Sequence, residues 1–466
     1  MGVAVSSWKL ARAVSERGQL GVVSSTGIDA VLVRRLQLGD VGGHVRRALN
    51  RFPDRDAADA VYERFFIEGG IEPNRPFKAK PIFTYPLTEA VTKLLMVANF
   101  VEVFLAKEGH RGVVGINLLE KIQMPTLPSL LGAMLAGVDF VLMGAGIPRA
   151  IPGVLDMLSA GDEATMPLTV TGASEEFRVR LSPRGLLPEV RFPLRRPKFL
   201  AIVASSVLAT TLARKGNPPP DGFVLELPSA GGHNAPPRGA LQLDASGQPI
   251  YGPRDAPSFG ELQETGLPFW LAGSFGKPGM LERAIALGAQ GIQVGTAFAF
   301  CDESGIDPNL KATILNLSAR DSAHTFTDPK ASPTGFPFKL VDVERTLSDR
   351  AVYEGRSRVC DLGYLRQLYE RPDGKIGFRC PAEPVEDFIA KGGEASDTVD
   401  RKCLCNGLVA TIGLGQRHKD GTVEPAMVTA GDDVRNVSAF VPFGRRSYSA
   451  ADVLDMLLAP NSEGND

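Results

Sequence analysis

From the N-terminus to about residue 300, apolar positions fall into short continuous runs, each separated from the next by a segment of helical period. The runs sit in "GQLGVVSSTG", "GVVGINLL", "VDFVLMGAG", "KFLAIVASS", "DGFVLELPSAGGH", "LPFWLAGSFG" and "AQGIQVGTAFA". Between and before them, the spacing predicts helices at Trp8 to Arg17, over "LLGAMLAG", after Pro148 or Pro152, at Val207 to Lys215 and over "PGMLERAIALG". Strands that are apolar throughout, rather than at every second position, are buried on both faces. The pattern therefore predicts an α/β sheet that is either covered by helices on both sides or closed into a barrel.

Two blocks leave this rhythm. Residues 40–110 form a long insertion rich in proline and aromatics. From about residue 325 the βα repeat stops, and pieces such as "SAADVLDMLLA" predict an appended, mainly helical C-terminal region that packs on the barrel. The expected division is thus 1–325 and 326–466. A 44% hydrophobic, 22% charged composition with a net charge of −2 fits a globular enzyme and gives no basic excess for nucleic acid. The N-terminus lacks the charged and apolar regions of a secretory signal, and every apolar stretch is broken before it could span a membrane, so a cytoplasmic protein is expected.

Four of the five cysteines, Cys360, Cys380, Cys403 and Cys405, lie in the C-terminal region. Their spacing lacks the paired C-x2-C knuckles of strong metal sites, so buried free thiols without metal are expected.

The chemistry concentrates in two stretches. In "LAGSFGKPGMLERAIALGAQGIQVGTAFAF", two strands one helix apart each end in a small-residue turn. In a parallel barrel, such neighbouring turns with free N–H groups form a phosphate cradle. The second stretch is "LELPSAGGHNAPPRG", where a histidine, His233, follows two glycines at the end of an apolar run.

Together these stretches resemble the nitronate monooxygenase (2-nitropropane dioxygenase) family, within the superfamily that includes FMN-dependent enoyl reductases. The resemblance implies a TIM (β/α)8 barrel and non-covalent FMN. It assigns the phosphate to Gly273, Ser274, Phe275, Gly295 and Thr296. Ser274 and Phe275 stand where the family usually has Gly-Ile. The resemblance brings Gln293 toward the flavin ring or ribityl chain, Asn117 to its pyrimidine edge, and Ser24, Ser25 and Ser205 to neighbouring strand ends. Asn117 and Ser205 read equally well as helix caps. The family's "G-x-x-AGGH" falls on Glu226 to His233. Gly231 and Gly232 would pass beside the flavin, with His233 over its reactive face as substrate binder or acid/base. His44 and His110 read as turn and structural residues.

The implied activity is oxidation of alkyl nitronates with O2 to a carbonyl compound and nitrite. The alternative is an NAD(P)H-dependent enoyl-thioester reductase, with an acyl group on a carrier protein as partner, and the long insertion and C-terminal extension lean that way. A small-molecule substrate is expected in the first case, and a homodimer is compatible with both.

Overall fold

A computed structural model describes residues 2–418 and 420–459. Among the described residues, fourteen strands follow one another in chain order. Seven form one parallel sheet: β1 (Gly21–Ser24), β2 (Val114–Leu119), β3 (Phe140–Gly144), β6 (Lys198–Val203), β7 (Gly222–Glu226), β9 (Phe269–Ala272) and β10 (Gly291–Gln293). The rest are β4 (Ala164–Leu168) paired with β5 (Phe177–Leu181), β8 (Gly232–His233) with β12 (Phe338–Val341) and β11 (Thr325–Asp328), and β13 (Gln367–Glu370) with β14 (Ile376–Arg379).

The order of the large sheet, β1-β2-β3-β6-β7-β9-β10, follows the chain without reversal. Right-handed crossovers then put every connecting helix on the same face. The opposite face can leave water only by curling on itself, which is the logic of a TIM-type barrel. Side-chain parity bears this out. Val22, Phe140, Leu142, Leu200, Ile202, Val224, Trp270 and Ala272 form one small inward cluster, contributed by strands from β1 to β9. Their chain neighbours Val23, Val141, Phe199, Phe223 and Leu271 belong instead to the large core shared with the helices. Gly115 shows how tight the closure is, since a Cβ there would lie 3.2 Å from both Leu142 and Val22.

Seven hydrogen-bonded strands stand where eight were expected. The free edge of β1 is covered by the N-terminal segment: Ser24 N–H donates to Ser6 O at 3.0 Å, and Ser6 Oγ–H to Val22 O at 2.6 Å. Three glycine-free turn residues, Ala4 among them at φ 45°, keep this segment from being an extended strand.

The block at 40–110 is not uniform. It ends in a 19-residue helix, Glu89–Lys107, which packs against the helix Thr126–Leu135 and is buried along most of its length. An apolar run buried all round is a helix of the barrel's outer layer rather than a surface excursion. The C-terminal region departs from the mainly helical expectation, because it also contains β11 to β14. Its last helix, Ala450–Leu458, is started by a Ser449–Asp452 capping box and contacts the first helix, Trp8–Glu16.

Candidate functional site

The inward positions at the C-terminal ends of the strands open into a cleft. Asn117, Gly144, Glu226 and Gln293 line it from the barrel, and Gly231, Gly232 and His233 from the loop after β7. The far wall comes from the C-terminal region through Phe338, Tyr364, Leu365, Leu404 and Cys405. Thr26, just past β1, also faces in. The sequence reading had missed it and the whole far wall.

The loop carrying His233 is held from outside the barrel. Gly231 packs so closely on the backbone of Ala430 that a Cβ would lie 2.4 Å from its carbonyl carbon. Asp432 N–H donates to Ser229 O at 3.0 Å, and Lys339 Nζ to Pro228 O at 2.8 Å. Gly232 turns at φ 85°, a left-handed conformation that glycine tolerates, and His233 then pairs with Phe338 across β8 and β12.

His233 Nε2 lies 2.8 Å from Ser332 Oγ, and the ring meets Phe338 edge-on at 4.8 Å. Burial, helped by the nearby Lys121 charge, pushes its pKa down to about 3. The imidazole is therefore neutral near pH 7. Glu226 moves the other way: its carboxyl fronts the cleft from the inner face of β7, and burial raises its pKa to about 7. Two titratable groups on one cleft with pKa values driven apart by their surroundings are the usual mark of an acid/base pair. The proton-exchanging member at neutral pH is Glu226, whereas sequence reasoning gave that role to His233.

The expected phosphate turn has an anion-binding shape. Gly273 and Ser274 are both left-handed, at φ 94° and 58°. A non-glycine residue in that conformation costs about 1–2 kcal/mol, so the surroundings of Ser274 hold the turn in this shape. Consecutive N–H groups turned to one side form a concavity for an anion. One is already present: Asp433 Oδ2 accepts from Gly276 N–H at 3.3 Å, while its Oδ1 is buried without a hydrogen-bond partner, and Lys277 Nζ stands 3.8 Å away. Thr296 Oγ1 accepts from Gly431 N–H at 2.9 Å. A strap, residues 430–433, thus threads between the His233 loop and the two turns.

The remaining sequence candidates separate. Ser24 is buried at the inner end of β1, and Ser25 Oγ–H donates to Asn99 Oδ1 at 2.6 Å, so neither lines the cleft. Ser205 caps the helix Ser206–Lys215, accepting from Leu208 N–H at 3.2 Å. Phe275 is buried in the main core. Gly295 and Thr296 begin the short helix Thr296–Ala299 beside the strap. Of the structural histidines, His110 binds back to Ala106 O at 2.6 Å and His44 packs on Trp8 at 5.0 Å.

A flavin suits this set at one end and meets competition at the other. The side chains of Asn117 and Gln293 give the cleft lining two amides that can pair with the polar edge of a heterocycle. At the turn, the Asp433 carboxylate stands where a phosphate would accept its N–H bonds.

Residues 195–330 match the family model described as nitronate monooxygenase. No curated protein matches the chain. Similar solved structures include FabK from Thermotoga maritima, at 15% identity and TM-score 0.46 over 97% of this chain and 88% of that one. A nitroalkane oxidase from Streptomyces ansochromogenes has 15% identity and TM-score 0.45 over 98% and 93%. The enoyl reductase domain of MlnA from Bacillus amyloliquefaciens has 11% identity and TM-score 0.49 over 98% and 90%. With every score below 0.5, the fold rests on the strand order and the inward cluster, not on these likenesses. Among the described residues, no helix is long and apolar enough to cross a membrane. The match at 195–330 spans β6 to β11 and so includes Glu226, His233 and both turns.

Proposed function

We propose that the protein is an FMN-dependent oxidoreductase that takes a neutral nitroalkane or its nitronate to a carbonyl compound and nitrite. The observation that carries this reading is the Glu226 carboxyl, facing the cleft with a pKa of about 7. A base poised near the working pH is matched to removing a proton from carbon beside a nitro group. When bound, FMN supplies the acceptor for the electrons of the nitronate carbon and the route by which they reach O2. Glu226 takes the α-proton, and the Asn117 and Gln293 amides orient polar groups at the cleft rim. His233, neutral and tied to Ser332 through Nε2, contributes a hydrogen bond but no positive charge. Phe338, Tyr364, Leu365 and Leu404 of the C-terminal region give the cleft an apolar wall opposite the barrel.

The deciding test is nitrite release from nitroethane across pH 5 to 9, beside NADPH-dependent reduction of a short enoyl thioester. A base gives a rate that rises through about pH 7. An acid that protonates the reduced enoyl thioester gives a rate that falls through the same range. Thioester reduction without nitrite release would replace this reading with an enoyl reductase served by a carrier protein.

His233→Ala is expected to retain FMN and the limb near pH 7, with a loss below about 10²-fold, because a group that does not titrate there cannot shape the profile. Disappearance of that limb in the variant would return the proton transfer to the histidine.

Asp433→Asn is expected to bind FMN about tenfold more tightly or better, because it removes a buried negative charge beside the phosphate turn. Unchanged or weaker binding, measured by titrating apoprotein and following flavin fluorescence, would show that the carboxylate does not compete for the turn.

A further inference from the structure

Four cysteines far apart in the chain meet in the C-terminal region. Cys360 follows the helix Arg350–Gly355, Cys380 lies just after β14, and Cys403 and Cys405 stand at the start of the helix Leu404–Thr411. All four are free thiols packed in one small cluster, around space for about one water-sized molecule.

Two of the four are held together by their own segments. Arg358, two residues before Cys360, donates through Nη1 to the carbonyl of Pro381, the residue after Cys380, at 3.2 Å. Its Nη2 donates to Thr398 O at 2.8 Å. On the other side, Cys380 N–H donates to Glu383 Oε1 at 3.2 Å, and Lys391 Nζ to Glu383 Oε2 at 2.8 Å. Within this frame the two sulfurs meet, and the Cys380 thiol donates a hydrogen bond to Cys360.

The thiols are not equivalent. That hydrogen bond, helped by the Arg366 charge, draws the Cys360 pKa below the ordinary thiol value, against burial and the Glu383 and Asp361 carboxylates. The same bond and burial push Cys380 up. Burial pushes Cys403 up to about 11 and raises Cys405 as well. Cys360 is also only half-buried, whereas Cys380 and Cys403 are buried. A partly exposed sulfur that leans toward thiolate, touching a second thiol that keeps its proton, suits attack by the first and resolution by the second.

We propose that Cys360 and Cys380 form a redox-active pair, in which hydrogen peroxide oxidises Cys360 and Cys380 closes a disulfide with it. The Cys360 thiolate attacks one peroxide oxygen. An S–O bond forms, the O–O bond breaks, and the departing hydroxide takes a proton to become water. Peroxide gains two electrons, and the sulfur becomes a sulfenic acid. The Cys380 sulfur gives up its proton and attacks the sulfenic sulfur. The S–S bond forms, the S–O bond breaks, and a second water leaves. Two thiols and one peroxide thus become one disulfide and two waters. Leu365, Leu404 and Cys405 line both the space beside this pair and the cleft that holds Glu226 and His233. The disulfide therefore forms behind one wall of that cleft. The inference stands whether or not the cleft takes FMN.

The test is a titration of the full chain, reduced and freed of reductant under anaerobic conditions, with hydrogen peroxide near neutral pH. Acid quenching, alkylation and peptide mapping by mass spectrometry then locate every sulfur. A Cys360–Cys380 linked peptide is expected, with five free thiols falling to three and dithiothreitol restoring them. Cys380→Ser should stop at the sulfenic acid, which dimedone traps on Cys360. Cys403→Ser should still give the linked peptide. Cys301, buried in a different cluster of the core, should stay reduced throughout. Circular dichroism identifies any variant that fails to fold, and the peptide map of the unaltered chain then decides the question. Overturning results are five free thiols after excess peroxide, a bond between any other two cysteines, or a sulfinic acid on Cys360 with Cys380 still free.

Discussion

Replacing Glu226 by glutamine is expected to lower turnover by about 10²- to 10⁴-fold, the usual contribution of a positioned acid or base. FMN binding should persist, because the amide is isosteric and the phosphate turns lie on other strands. The rising limb near pH 7 should vanish with the activity. The same substitution has a second signature in stability. The Glu226 carboxyl has a pKa of about 7 when folded, above the 4.5 of an unperturbed group, so the folded state holds the proton more tightly. That stabilisation is complete below pH 4.5 and is lost as pH rises through about 7. Above pH 7 the wild type carries a buried charge that the glutamine variant lacks. The variant should therefore be more stable at pH 8, by up to roughly 3 kcal/mol of unfolding free energy for a shift of this size, and match the wild type near pH 4.5. Full activity in Glu226→Gln, with the limb intact, would remove this residue from the chemistry. Equal stability at both pH values would show that its carboxyl is not desolvated.

The second large effect is expected at Asp29. This side chain is 2% exposed and pairs with Lys80 Nζ at 3.0 Å, itself 1% exposed. It also accepts from the Tyr364 hydroxyl, and the Lys80 ammonium sits 4.5 Å over Phe83 and 4.6 Å over Tyr364. One carboxylate thereby joins the helix Ile28–Gln37, the 40–110 block and the C-terminal region. Asp29→Ala leaves the lysine charged with no counter-ion, which typically costs about 3–5 kcal/mol. Asp29→Leu combined with Lys80→Met should recover much of that loss, because a buried pair replaced by apolar groups is often neutral. Tyr364 lines the cleft, so the single variant should also weaken ligand binding. Denaturant unfolding that shows a loss below about 1 kcal/mol would mean that the pair is solvated in solution.

The barrel was readable because its signal is local. Seven apolar runs of four to eight residues, each followed by a helical segment, report a doubly buried parallel strand without knowledge of its partner. Glu226 and Gln293 were also within reach, since an inward strand end needs only alternation counted back from the turn. What escaped depends on contacts between distant parts of the chain. "AGDDVRN" reads as a polar surface loop, and nothing near it announces that Gly431 will meet Thr296 or that Asp433 will reach Gly276. The role of Ser205 turned on a one-residue question, whether a helix begins at Ser206, and the structure answers it with a cap. The titration order of His233 and Glu226 was hidden for a different reason. It is set by burial beneath a wall supplied by the last third of the chain, and residue type gives no hint of it.

That wall has a consequence for how the enzyme comes into being. The strap at 430–433 and the pairing of His233 with Phe338 tie the site to residues made late in synthesis. A ribosome adding roughly 5–20 residues per second completes the barrel strands well before the strap emerges. Throughout that interval the barrel can assemble while the site lacks one side, and Glu226 remains open to water with an ordinary carboxyl pKa. Catalytic competence then waits for the strap and not for the barrel, so a chain truncated before residue 430 should be released as an inert barrel rather than a partly active, unregulated oxidoreductase.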